Sequence, residues 1–232
     1  MAIRPFLAMT GAEMRNSPGI SQGICWMACH FSPYATRLSN LPPGLPPGNL
    51  LMVDDITPIH GHRADVIAAQ LEDAVKRLGC TGILLDFQRP DSEDTAALAA
   101  HLVKALPCPV AVSDVYARNL DCPVFLSAPA CHEPPEDCFT PWQGREIWLE
   151  LSKSPELITV TEQGARIDPL PCLDADGAGF REDRLHCHYK TDIAEESAAF
   201  TLWRSREDLD ALLQTGEKYS VTTAVGLYQE LR

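Results

Sequence analysis

The stretch Leu50–Phe87, LLMVDDITPIHGHRADVIAAQLEDAVKRLGCTGILLDF, carries the reading that decides the fold. It opens and closes on nearly continuous apolar runs, LLMVD at 50–54 and GILLDF at 82–87. Strands read this way, rather than as strict alternations, when both faces are covered, as in parallel sheets flanked by helices. Between them, residues 63–78 place Val66, Ile67, Leu71, Val75 and Leu78 on one helical stripe, stopped by Gly79. Strand, helix and strand at this spacing predict a βαβ unit.

Similar apolar runs recur on either side: Ile24–Phe31 (ICWMACHF), Pro109–Ser113 (PVAVS), Pro123–Ser127 (PVFLS), Arg145–Glu150 (REIWLE), Ala199–Trp203 (AFTLW) and Thr222–Leu227 (TTAVGL). Two further helices are predicted. Residues 92–106 start at Ser92 with Glu93 and Asp94 and end before Pro107; residues 205–215 start at Ser205 with Asp208 three positions on. The expected fold is a compact (β/α)8 TIM-like barrel, with loops at 41–48, 114–121 and 128–144 in place of several helices; an open doubly wound sheet is the competing architecture. An inserted β-hairpin is expected near residues 156–170, around Glu162, Gln163 and Gly164, and a further strand over 185–193. With no internal repeat and no clear linker, residues 1–232 read as a single barrel domain, residues 1–23 being an N-terminal extension or irregular segment.

The chain is 45% hydrophobic and 22% charged, a globular composition. Its 19 Lys and Arg stand against 32 Asp and Glu, for a net charge of −13. No basic cluster offers phosphates a face, which argues against nucleic acid as a partner. No run approaches the ~20 apolar residues of a membrane span. The apolar start is interrupted by Pro5 and falls short of the roughly 7–15-residue core of a signal peptide. Nine cysteines, odd in number and without a C-x-x-C pair, point to a reduced, cytoplasmic chain.

In parallel α/β architectures the carboxyl ends of the strands form the working face. Asp54, Asp55, Asp86, Gln88, Asp114 and Glu150 fall at those ends, with Gln229 and Glu230 after the last strand. Any one of the aspartates could simply cap a turn or helix. Taken together they suit a cleft for glycosidic or metal chemistry.

Thr81–Pro90, TGILLDFQRP, resembles the signature strand of the family 18 glycoside hydrolases, the chitinase class, whose pattern is D-G-h-D-h-D-h-E with h apolar. Gly82, Ile83, Leu85, Asp86 and Phe87 fit, and LAAHLVKAL resembles the Leu-rich helix that follows. Residues 202–227, LWRSREDLDALLQTGEKYSVTTAVGL, are similar to the family's closing strand–helix–strand unit, and CWMACHFSPY at 25–34 loosely to its first strand. These segments span about half the chain. The departures are Gln88 at the catalytic Glu, Thr81 and Leu84 at the first two aspartates, and Tyr228 where the last strand carries a Trp. The motif also lies on the third readable strand, whereas the family has it on the fourth.

The resemblance implies that an N-acetylated sugar polymer or oligosaccharide is the ligand. Asp86 would orient the substrate's N-acetyl group and Gln88 would hydrogen-bond. Tyr228 would form a stacking floor, and Asp55, Asp114, Tyr116 and Glu150 would line the cleft. An amide has no titratable proton, so Gln88 cannot serve as the general acid. Either Asp55, Asp114 or Glu150 takes that part, or the site only binds sugar.

Two other readings stay open. His60-Gly61-His62 and His186-Cys187-His188 are H-x-H pairs, and His30 ends an early strand; with Asp54 or Asp86 they could make a metal-dependent, amidohydrolase-like hydrolase. The other is a non-catalytic interaction protein. Cys29 and Cys187 each neighbour a His, but adjacent strand residues face opposite sides, against a nucleophile–base pair. No Gly-rich phosphate loop occurs, and no cofactor and no bound metal are expected.

Overall fold

The computed structural model of the protein describes residues 2–32, 37–59, 63–90, 92–170 and 179–231. The first strands in the chain are β1 (Arg4–Met9), β2 (Ile24–Phe31), with the short antiparallel β3 (Leu38–Ser39) on it, and β4 (Leu50–Asp54). There follow β5 (Gly82–Asp86), β6 (Val110–Ser113), β7 (Val124–Leu126) and β8 (Ile147–Leu151). The chain then builds a separate antiparallel sheet from β9 (Glu156–Thr161), β10 (Gly164–Pro169), β11 (Phe180–Glu182), β12 (Cys187–Ile193) and β13 (Ser197–Trp203). It returns in β14 (Val221–Leu227), which pairs in parallel with both β8 and β1; β1 also pairs with β2. Eight parallel strands thus close a barrel, in the order β1, β2, β4, β5, β6, β7, β8, β14.

Period two along the strands explains the double burial. Leu51, Val53, Ile83 and Leu85 join the core between barrel and helices, whereas Leu50, Met52 and Leu84 point inward with Phe6, Cys25, Phe125, Trp148 and Val225 to fill the barrel. Gly82 makes room for the largest of these: a Cβ there would stand 2.8 Å from the Trp148 ring. The predicted helices form as α2 (Ala64–Leu78), α3 (Glu93–Ala105) and α6 (Arg206–Glu217). Gly79, at φ 63°, ends α2 in the left-handed conformation. The Ser92 side chain caps α3, and Ser205 and Asp208 form a capping box on α6. Short helices α1 (Gly11–Asn16), α4 (Asp114–Ala117) and α5 (Pro135–Phe139) occupy other links and α7 (Tyr228–Leu231) follows β14, so two of the three loops expected without helix hold one of four or five residues.

Two elements differ from expectation. Residues 1–23, expected as an extension or irregular segment, contain β1, a stave of the barrel; its Phe6 and Ala8 fill the interior. The residues 199–203, expected as a barrel strand, belong to β13 in the antiparallel sheet, where only one face is covered and Phe200 and Leu202 pack with Cys131, Cys187 and Ile158. The predicted hairpin is present as β9 and β10, but it is one edge of a larger sheet ordered β10-β9-β13-β12-β11. Buried Arg204 ties that sheet to the barrel by donating to the carbonyls of His186, Pro129 and Ala130. The eight described cysteines are free thiols. Among the described residues no helix is long and apolar enough to cross a membrane.

Candidate active site at the barrel mouth

The carboxyl ends of β2, β4 and β5 set three polar side chains on one rung. His30 is the register partner of Asp54, and Asp54 of Asp86. A local irregularity makes this alignment. Between Trp26 and Cys29 the β2–β4 register shifts by one residue, so Cys29 stays in the outer core and His30 takes the position beside Asp54. His30 Nδ1 lies 2.6 Å from Asp54 Oδ2, and Asp54 Oδ1 accepts the Ile56 amide at 3.1 Å.

Beyond Asp86 the chain is held by its surroundings. Phe87 is fully buried against Phe31, and its amide donates to Ser113 Oγ at 2.9 Å. The buried carboxylate of Asp55 accepts the amides of Gln88 and Arg89, at 3.0 and 2.9 Å. The Arg89 guanidinium donates to the carbonyls of Asp55 and Ile56, and the Tyr116 hydroxyl donates to the Arg89 carbonyl. These contacts present Gln88 to solvent, with its Nε2 donating to Asp86 Oδ1 at 2.7 Å.

Two adjoining hollows share Asp86. One, of about 360 Å³, is lined by Met27, His30, Met52, Asp54, Asp86 and Gln88 among others. The other, of about 70 Å³, lies over the barrel filling and brings Asp86 and Glu150 together with Phe125, Val225 and Leu227. Glu150 also borders a third hollow of about 210 Å³, towards Glu156 and Arg204. Burial pushes the Asp86 carboxyl above the usual aspartate range; the Gln88 hydrogen bond opposes this, and Asp54 and Asp55 add to it. Burial likewise raises Glu150, against the amide of Ala128 it accepts at 3.1 Å, with Asp86 and Glu230 adding. Asp54 is raised by burial too, against the Ile56 amide and His30.

Of the residues singled out in the sequence, the mouth unites His30, Asp54, Asp86, Gln88 and Glu150, with Asp55 at its edge. Asp55 and Tyr116 act on the loop backbone. Asp114 opens α4, its carboxylate accepting the Val115 amide, and lines neither hollow. Tyr228 also stands away from both: its hydroxyl is 2.7 Å from Ser17 Oγ, and its ring packs on the outer core. The expected stacking floor is absent from the mouth because β14 ends at Leu227 and α7 begins at Tyr228, turning the phenol outward. His30 and Asp54, brought together in the sequence as candidate metal ligands, instead pair directly with each other.

The H-x-H motifs do not assemble a metal centre in the described residues. His60 and His62 lie outside them. His186 precedes β12 in a turn at φ 49° and meets Thr215 Oγ1 at 3.0 Å, whereas His188 meets Asp208 at 2.7 Å and stacks on Trp203. Imidazoles two positions apart line one face when both ride on a strand, which His186 does not. Among the described residues no group of three His, Cys, Asp or Glu side chains is arranged to hold a metal ion.

No protein-family model matches the chain, and no curated protein matches it by sequence. Solved structures do. A chitinase from Chromobacterium violaceum is 11% identical, with a TM-score of 0.65, covering 99% of this chain and 95% of that one. A chitinase-like agglutinin from Robinia pseudoacacia is 11% identical, with a TM-score of 0.63 and coverage of 97% and 94%. A glutamate-to-glutamine mutant of the class V chitinase of Nicotiana tobaccum, in complex with NAG4, is 10% identical, with a TM-score of 0.61 and coverage of 96% and 92%. The chain therefore has the closed parallel barrel fold of chitinase-like glycoside hydrolase structures, over nearly its whole length.

Proposed function

We propose that this protein binds an N-acetylated saccharide at the carboxyl-end mouth of its barrel, between Asp86, Gln88 and Glu150. The observation that carries this reading is the Gln88–Asp86 hydrogen bond at the junction of two hollows. The bond fixes Asp86 where its second oxygen can accept from an amide N–H of the guest. Gln88 offers a carbonyl oxygen and a second N–H in the same place, the donors and acceptors that acetamido and hydroxyl groups require. The deeper wall, with Phe125 and Val225, suits the acetyl methyl group. The likeness to an agglutinin and to a chitinase mutant in complex with NAG4 supports a saccharide-holding mouth on this fold.

Gln88 cannot give up a proton, and a positioned general acid is typically worth about 10²–10⁴-fold in rate. Binding is therefore the primary activity proposed. Calorimetry with chitotetraose tests it: the wild type binds, and Asp86→Ala weakens binding at least about tenfold, or ~1.4 kcal/mol. An unresponsive wild type, or an Asp86→Ala variant of unchanged affinity, overturns the reading. In the same series, Gln88→Glu supplies the missing acid and raises release of reducing ends about 10²-fold or more.

A further inference from the structure

The rung at the mouth holds an imidazole in the same hollow as Gln88. His30 and Asp54 line the same hollow as Asp86 and Gln88. The side chain of Asp54 is 10% exposed and that of His30 29%, so the carboxylate is sheltered while the ring reaches the hollow. Both Asp54 oxygens are engaged, one by His30 Nδ1 at 2.6 Å and the other by the Ile56 amide at 3.1 Å. A carboxylate held in this way fixes both the orientation and the tautomer of the imidazole. Nε2 is then the ring nitrogen able to exchange a proton with a guest.

We propose that His30 is the proton donor of this mouth, delivering to the leaving oxygen of a glycosidic bond the proton that the Gln88 amide cannot. Asp54 is its positioning residue. The assignment rests on the saccharide reading above and adds an activity to it. In the step, the His30 imidazolium passes its Nε2 proton to the glycosidic oxygen as the bond from C1 to that oxygen breaks, the electron pair staying on oxygen. A water molecule bonds to C1 through its oxygen and gives a proton to the Asp86 carboxylate. Neutral His30 and protonated Asp86 are restored by passing one proton from Asp86 through solvent to His30. Water is the only co-reactant, and atoms and charge balance.

The test uses the full chain with chitotetraose, measuring binding by calorimetry and reducing ends by colorimetry. The expected result is slow release of reducing ends. His30→Ala lowers the rate about 10²-fold or more, and added imidazole partly restores it. His30→Gln, which keeps a hydrogen bond to Asp54 but has no proton to transfer, shows the same loss. A wild type that binds chitotetraose without cleaving it, a variant as fast as wild type, or a loss that imidazole does not restore each overturns the proton-donor assignment and leaves the binding reading intact. A wild type that does not bind chitotetraose overturns the binding reading itself.

Discussion

Asp86 is an expensive residue to keep. Its carboxyl is raised by burial and by the neighbouring carboxylates, so the folded state disfavours the ionised form that a binding or base function requires. The sign of the linkage follows. Above the ordinary aspartate value near 3.8 the unfolded chain ionises readily, while the folded one holds its proton to higher pH. Stability therefore falls as pH rises through that window. Asp86→Asn removes the cost and is expected to raise the melting temperature at pH 7, by about 2–4 °C for each kcal/mol in a domain of this size. The gain should fade as the pH is lowered to the ordinary aspartate value. Thermal melts of both proteins across pH check this, and a variant less stable at pH 7 contradicts it.

At the scale of elements, the barrel was legible where strands are covered on both faces. The runs at 50–54 and 82–86 are unbroken because alternate residues enter two cores, one inside the barrel and one beneath the helices. The first strand escaped notice because it begins with exposed Arg4 and Pro5 and offers only a short apolar stretch; a proline is tolerated at the start of a strand. β13 misled for the opposite reason, since its AFTLW run is as apolar as a barrel strand although one sheet face is open. At the site, Asp86 was readable as the polar residue at the carboxyl end of β5 and from its fit to the family 18 motif. The sequence grouped His30 with Asp54 only as candidate metal ligands; their direct hydrogen bond depends on a one-residue register shift within β2. Tyr228 misled because no local signal separates the last strand residue from the first of α7. Gly82 shows how tightly these elements are fitted: a methyl group there would meet Trp148 at 2.8 Å and the Pro109 carbonyl oxygen at 3.2 Å. Gly82→Ala is expected to cost about 1–3 kcal/mol through overpacking. Denaturant unfolding measures it, and an unchanged midpoint contradicts the packing account.

For the whole molecule, the barrel and the antiparallel sheet are joined by a few strong contacts. Arg204 spends its guanidinium on three backbone carbonyls, two of them in the loop after β7. Hydrogen bonds to charged groups contribute about 1.5–3 kcal/mol, and no other described side chain makes these three bonds. Arg204→Ala is expected to loosen the sheet before the barrel. Hydrogen exchange should then speed up across β11–β13 while β4–β6 keep their protection; uniform loss would show that the two parts open as one.

Closure of the cylinder has a consequence for how the chain is made. The seam between β1 and β14 brings together Arg4 and Thr223, 219 positions apart in sequence. A nascent polypeptide emerging from the ribosome can assemble its early staves and helices, but the first stave must wait, one edge unsatisfied, until the last has been translated. Contacts so distant along a chain form late and slowly. Premature release, chaperone occupancy and codon pace across residues 221–227 therefore act on the final zipping of this seam.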